Sequence, residues 1–147
     1  MTIHYNEIPP DEIDLIKPLW EELNQWHLKK SLNFAERFSS FSFEWRKQKL
    51  LKKEKIKILT ARIGDAVVGY CVSSVNDRKG EIDSLYVNPE YRKMGIGEGL
   101  MRRSLEWLES HVPEEISLKV AAGNEAVFAF YSGFNFLPSS TKLRYKK

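Results

Sequence analysis

One segment, Arg92-Lys93-Met94-Gly95-Ile96-Gly97, constrains the fold more than any other part of the chain. It follows a predicted strand at Glu81–Val87 and leads into a run with helical spacing at Gly95–His111. A helix that begins directly after a strand presents unpaired first-turn amides and the positive end of its dipole at that point. Glycines without Cβ atoms let an anion approach those amides. The segment therefore predicts a strand–helix unit with an anion-binding site.

The residues after this helix predict a second strand and a further helix. Ile116–Ala121 has strand character, and a strand–helix–strand crossover is right-handed. We therefore expect Glu81–Val87 and Ile116–Ala121 to run parallel. Asn124 is placed to cap a helix over Glu125–Ser132, and Gly133 is placed to end it.

The rest of the chain predicts strands and helices around this unit. Further strands are expected at Thr2–Ile8, Ile56–Ile63, Ala66–Val75 and Lys142–Tyr145. Short turns between the middle strands imply antiparallel pairing. A helix should follow Pro9-Pro10, with an interruption or kink at Pro18, and a basic helix should cover Glu44–Lys52. Together these elements predict a single α/β (α+β) domain over residues 1–147, with a mixed, mostly antiparallel sheet of about six or seven strands and about four helices.

Composition and charge exclude several classes of protein. The single cysteine, Cys71, allows no intramolecular disulfide, lies in an apolar run and fits a reducing compartment. No signal-peptide pattern and no apolar run of about 18 residues is present, so we expect a cytoplasmic protein without a membrane span. The three histidines are scattered without metal-ligand spacing, so no metal is expected.

The net charge of +3 is too small for a dedicated nucleic-acid binder, and we expect no nucleic-acid partner. The positive charge is nevertheless concentrated between Arg46 and Lys57. This run fits a solvated helix face. It also fits a surface that attracts anions such as a coenzyme, an acidic substrate or nucleic acid.

The stretch from Gly80 to Phe136 resembles the GNAT superfamily of N-acetyltransferases. The resemblance rests on GEIDSLYVNPEYRKMGIGEGLMRRSLEWL and, after a suitable separation, NEAVFAFYSGFNF. The family's Q/R-x-x-G-x-G/A loop is matched by Arg92, Gly95 and Gly97. The resemblance implies transfer of an acetyl group from acetyl-CoA to a primary amine by direct attack in a ternary complex. The alternative is a non-catalytic acyl-CoA-binding sensor or regulatory module.

The resemblance also implies which residues hold the coenzyme. The pyrophosphate would bind backbone amides of the loop and helix start, namely Arg92, Lys93, Met94, Gly95, Ile96, Gly97 and Glu98. The pantetheine arm would pair with the strand backbone at Leu85, Tyr86 and Val87 and contact Asn124. In this family that strand and the next one splay apart. The apolar register here shifts between Ile82 and Leu85, which fits either a bulge between Ser84 and Leu85 or a strand buried on both faces.

Two residues are the candidate catalytic groups. The resemblance implies that Tyr131 is a general acid toward the departing thiolate, whereas its structural alternative is a core aromatic residue. Glu81 lies eleven residues before Arg92, which resembles family members with a glutamate base, and we prefer it to Asp83. A solvated acid with no dedicated base remains open. The acceptor would be a small-molecule or peptide amine that binds near Trp26–Trp45, and a homodimer is left open.

Overall fold

The computed structural model describes residues 2–147 and shows a five-stranded sheet in the order β1-β2-β3-β4-β5. The strands are β1 Ile3–Ile8, β2 Lys55–Ile63, β3 Ala66–Asn76, β4 Lys79–Val87 and β5 Glu115–Leu118. The first four strands pair antiparallel, as the short turns between β2, β3 and β4 predict. The last pair, β4 and β5, is parallel, which confirms the expected crossover unit.

Within residues 2–147, five α-helices flank the sheet. They are α1 Lys17–Lys30, α2 Ala35–Ser39, α3 Phe43–Leu51, α4 Ile96–Ser110 and α5 Phe128–Ser132. A 3-10 helix, Pro10–Ile16, precedes α1, and Pro18 lies in the first turn of α1. Proline is tolerated there because first-turn amides have no helical partner. The interruption expected at Pro18 takes the form of a change from a 3-10 helix to an α-helix between Ile16 and Lys17.

Helices cover both faces of the sheet and create two apolar clusters. Residues from the 3-10 helix, α1 and α3 pack on one face against side chains such as Ile58, Tyr70 and Val72. On the other face, α4 packs against Leu59, Cys71 and others. Cys71 is buried in this second cluster, as its apolar neighbours predict. Strand β4 contributes side chains to both clusters, so its backbone is held from two sides.

The C-terminal part of the chain differs from the prediction. No strand forms at Lys142–Tyr145, and β5 ends at Leu118 instead of Ala121. The sheet therefore has five strands, fewer than the six or seven expected. Side chains of Leu143 and Tyr145 are 89% and 87% exposed, so their alternation with basic residues buries no apolar face. Gly133 follows the last residue of α5, as predicted, with a φ of −63°.

Candidate active site

The loop between β4 and α4 is built to receive an anion. Gly95 is the N-cap of α4 with φ +78°, and Lys93 also adopts a positive φ of 67°. A Cβ atom added at Gly95 would meet nothing within 4 Å, so the space in front of the helix is open. The first-turn amides of α4 have no helical partner and point toward this space. The geometry fits the phosphate groups of a coenzyme.

The side chain of Arg92 is folded back onto β4. Its Nε atom donates to the carbonyl oxygen of Val87 at 3.1 Å, and its guanidinium lies 5.5 Å from the ring centre of Tyr86. The positive charge of Arg92 therefore lies between the loop and the end of β4. Lys93 and Met94 are exposed beside it.

Strand β4 contains a bulge at Asp83. Ser73 pairs with Ile82 and Val72 pairs with Ser84, so Asp83 has no partner on β3. The bulge lies one residue earlier than the position expected between Ser84 and Leu85. It explains the shift of apolar register, because the extra residue places both Ile82 and Leu85 in the cluster beneath α4.

Strands β4 and β5 separate at the bulge. Their pairing runs from Lys79 with Glu115 to Ile82 with Leu118 and stops there. The segment from Asp83 to Val87 therefore has no strand beside it on the β5 side. We call this space the β4–β5 opening. The carbonyl oxygens of Val87 and Asp83 already accept bonds from arginine side chains. The remaining backbone groups of this segment can bind an extended ligand as an additional strand would, which fits the expected place of a pantetheine arm.

Two carboxylates next to the bulge share one lysine. The Nζ atom of Lys53 lies 3.6 Å from Glu81 Oε1 and 3.8 Å from Asp83 Oδ1. The side chain of Asp83 is only 1% exposed, whereas those of Glu81 and Lys53 are 25% and 28% exposed. Burial raises the pKa of Asp83 to about 6, while Ser74 lowers it. The preferred base and its alternative therefore belong to one cluster.

Asn124 occupies the predicted N-cap position, but its side chain contacts α1 and does not cap the helix that follows. It precedes a 3-10 turn, Glu125–Val127, and its side chain makes no capping bond. Instead, its Oδ1 atom accepts a hydrogen bond from Trp26 Nε1 at 3.2 Å. The neighbouring Gly123 has φ +98° and lies so close to α1 that a Cβ atom there would be 2.2 Å from the Lys30 carbonyl oxygen. The loop before α5 is therefore packed onto the end of α1.

Tyr131 is partly buried in α5, against the cluster beneath α4. Burial raises the pKa of its phenol to about 12, and Cys71 adds a smaller contribution. The adjacent Phe130 ring lies 3.5 Å from the position that a Cβ atom would take at Gly97. Tyr131 therefore lies on the short helix that packs against the beginning of α4.

A surface cavity of about 480 Å³ lies between α1 and the end of β4. It is lined by Pro18, Glu21, Glu22, Gln25, Trp26, Lys29 and Tyr86. The hydroxyl of Tyr86 donates to Glu22 Oε1 at 3.2 Å, so the Tyr86 side chain faces α1. Of the aromatic segment expected to wall an acceptor pocket, only Trp26 lines this cavity. Phe41 and Trp45 stack on each other elsewhere, with ring centres 4.7 Å apart.

Sequence reasoning did not identify Lys53 or Glu22 as part of the site. Each belongs to a contact between distant parts of the chain, and neither stands in a recognisable motif. No helix in residues 2–147 is long and apolar enough to cross a membrane. The same part of the chain contains no group of three or more potential metal ligands.

Comparison with known proteins identifies the family. The model of the acetyltransferase (GNAT) family matches residues 19–136. The chain belongs to the GNAT family. A relative in Bacillus subtilis, named a putative ribosomal protein bS18-alanine N-acetyltransferase, is 26% identical over 111 residues, which cover 73% of this chain and 74% of the relative. This protein is therefore an acyltransferase, in agreement with the names of its relatives.

Solved GNAT structures share the fold. A PaiA N-acetyltransferase from Thermoplasma acidophilum, in complex with coenzyme A, superposes with a TM-score of 0.78 at 22% identity, covering 97% of this chain and 94% of that one. An aminoglycoside acetyltransferase from an uncultured soil metagenomic sample, in complex with sisomicin, gives a TM-score of 0.69 at 15% identity, with 99% and 95% covered. At these identities the similarity establishes the fold.

Proposed function

We propose that this GNAT protein transfers an acetyl group from acetyl-CoA to a primary amine by direct attack within a ternary complex. The observation that carries the proposal is the β4–β5 opening, which leads to the open N-terminus of α4. A strand edge without a partner suits the amide groups of a pantetheine arm, and the helix start suits a pyrophosphate. One extended ligand can therefore use both features.

The coenzyme would be held mainly by backbone groups. We assign the pyrophosphate to the amides from Arg92 to Glu98, and the pantetheine arm to the backbone of Leu85 and Val87. Asn124 would contact the arm from the opposite side of the opening. The open space at Gly95 and the partnerless edge of β4 support this assignment. When bound, acetyl-CoA supplies the thioester that the amine attacks.

Glu81 is the proposed base. An acceptor amine with a lysine-like pKa near 10.4 is protonated at neutral pH and must lose a proton before attack. The Glu81 side chain is partly exposed beside the bulge, so it can take up that proton and release it to solvent. Asp83 and water chains are the alternatives. Tyr131 would donate a hydrogen bond to the sulfur as negative charge develops there.

The acceptor is a small-molecule or peptide amine. The cavity between α1 and β4 supports this assignment, because Glu21 and Glu22 on its wall favour a positively charged ligand. The names of the similar proteins span both classes, with a ribosomal protein in one case and aminoglycosides in another. The buried, unpaired Cys71 fits a reducing compartment, and we propose that the protein is cytoplasmic.

The test combines binding with turnover. Calorimetry with acetyl-CoA measures coenzyme affinity, and a thiol-release assay measures transfer to a panel of polyamines, aminoglycosides and short peptides. We expect binding together with turnover of at least one amine, confirmed by mass spectrometry of the product. Binding without turnover of any amine would favour the sensor alternative. No binding of acetyl-CoA would overturn both functions.

A further inference from the structure

In the cluster formed by Lys53, Glu81 and Asp83, two carboxylates share one ammonium group, and one buried carboxylate oxygen has no hydrogen-bond partner within residues 2–147. One ammonium group faces two carboxylates at 3.6 and 3.8 Å. The Oδ2 atom of Asp83 is buried and has no hydrogen-bond partner among the described residues. An unpartnered buried carboxylate oxygen is energetically unfavourable unless a cation or a proton compensates it. Lys53, whose Nζ atom lies 3.8 Å from the other carboxylate oxygen, Oδ1, and Arg46 supply positive charge near this carboxyl group.

The position of the cluster connects it to the proposed site. Asp83 is the bulged residue at which β4 leaves β5, and its backbone carbonyl accepts a hydrogen bond from Arg46 Nη2 at 3.0 Å. Lys53 follows the end of α3 by two residues, so α3 and the turn after it direct two cations at the bulge. These contacts fix where the two carboxylates lie relative to the β4–β5 opening.

We propose that Lys53 is a positioning residue for proton transfer, which holds Glu81 and Asp83 together and favours the ionised form of Asp83, so that the pair can accept the proton of the acceptor amine. This inference rests on the proposed acetyl transfer. The step conserves charge and atoms. The ammonium proton moves to a carboxylate, and the neutral amine then attacks the thioester carbon. The carbon–sulfur bond breaks, the sulfur leaves with the electron pair, and the nitrogen loses a second proton, which neutralises the thiolate.

The groups around the Asp83 carboxyl determine in which direction its pKa moves when Lys53 is replaced. The groups that act on Asp83 are Ser74 and Cys71 of β3, Glu81 of β4, Arg46 of α3 and Lys53. Burial and the Glu81 charge raise the pKa of Asp83, whereas Ser74, Lys53 and Arg46 lower it. Removing the Lys53 charge therefore raises that pKa, and a higher pH is needed before the pair can act as a base.

The experiment compares Lys53→Met with Lys53→Arg and with Lys52→Met, a control at the exposed neighbouring lysine. An opposite charge within about 4–6 Å lowers a carboxyl pKa by roughly 1–3 units, and the partial exposure of Lys53 favours the lower limit. For Lys53→Met we expect the acid limb of kcat/KM to move up by about one pH unit. At a pH below that limb this is about a tenfold loss. Lys53→Arg should restore the profile, and Lys52→Met should match the wild type.

A second measurement does not depend on turnover. Carbon-13 NMR of the free protein, with Asp83 assigned through Asp83→Asn, follows the titration of this carboxyl directly. The expected result is an upward shift in Lys53→Met that matches the shift of the acid limb. If Lys53→Met does not fold, Lys53→Gln replaces it in both measurements.

Either of two results would overturn the inference. One is an unchanged Asp83 titration in Lys53→Met or its replacement Lys53→Gln, and the other is a shifted titration in that variant with an unchanged acid limb. Both leave an active wild type, so they are distinct from failure of the proposed function. Failure of that function appears in the wild type itself, as the absence of transfer to any amine, and it would remove the positioning role as well.

Discussion

The Tyr131→Phe substitution removes one hydroxyl and leaves the ring that packs beneath α4. A phenol with a pKa near 10 is a weaker acid than a thiol near 8.5 by about 1.5 units, or roughly 2 kcal/mol. Burial raises the pKa of Tyr131 to about 12, which widens the gap to about 3.5 units, or roughly 5 kcal/mol. Complete proton transfer from this tyrosine to the thiolate is therefore unfavourable. A hydrogen bond to the developing negative charge does not carry that cost.

The expected loss follows from the strength of such a bond. A hydrogen bond to a charged group contributes about 1.5–3 kcal/mol, which corresponds to a fall in kcat of roughly 10- to 150-fold. The affinity for acetyl-CoA should change by less than about threefold, because the ring stays in place. The free-enzyme phenol stays protonated up to about pH 12, so Tyr131 should produce no basic limb near neutral pH.

Steady-state thiol release and calorimetry separate the two effects of Tyr131→Phe. Tyr145→Phe is the matched control, because Tyr145 is 87% exposed and lies outside the site. A fall in kcat of about 10⁴-fold or more would refute the hydrogen-bonding role and require proton transfer by Tyr131. A fall of less than about twofold would show that the hydroxyl does not contribute.

Three further substitutions test other parts of the site. Gly97→Val should weaken acetyl-CoA binding by about tenfold or more in calorimetry, because its side chain would occupy space at the start of α4. A Cβ atom there meets the Phe130 ring at an ordinary 3.5 Å, and Tm measured alongside checks how the two further methyl groups pack. Unchanged affinity would contradict the pyrophosphate assignment. Asp83→Asn should raise the free energy of unfolding at pH 7 by up to roughly 3 kcal/mol in urea unfolding. The reason is that the pKa of Asp83 is higher in the folded than in the unfolded protein, so its ionisation lowers stability as the pH rises from about 4 to 6. A gain in stability that persists at pH 3, where Asp83 is protonated in both states, would refute this explanation. Trp26→Phe should weaken coenzyme binding about two- to tenfold through loss of the bond to Asn124, and an equal loss in an Asn124→Ala background would argue against that coupling.

The loop and the bulge were predictable because their signals are local. Gly95 adopts the positive φ that glycine permits, directly before the helix that the apolar spacing predicts. The change of register between Ile82 and Leu85 fits the extra residue that β4 contains, but it also fits a strand buried on both faces, and it does not identify Asp83 as the extra residue. The parallel pairing of β4 and β5 follows from the handedness of the crossover.

The remaining features depend on contacts that local patterns do not encode. Asn124 is well suited to cap a helix, but Trp26, which is 98 residues away, provides a competing donor. Lys53 meets Asp83 only because the turn after α3 lies over the bulge. The alternating residues at Lys142–Tyr145 resemble a strand, but a strand also needs a neighbour and a buried face.

The β4–β5 opening leaves one edge of β4 without a neighbouring strand in the part of the chain that the structure describes. Amides of Leu85 and Val87 that face it lack the protection that a neighbouring strand would give, and we expect them to exchange with solvent quickly. A coenzyme arm bound there would join the two edges. Because a ligand that binds only the folded state stabilises it by RT ln(1 + [L]/Kd), resistance to unfolding and proteolysis would rise with coenzyme concentration. The lifetime of this protein in a cell would then report the acyl-CoA supply of that cell.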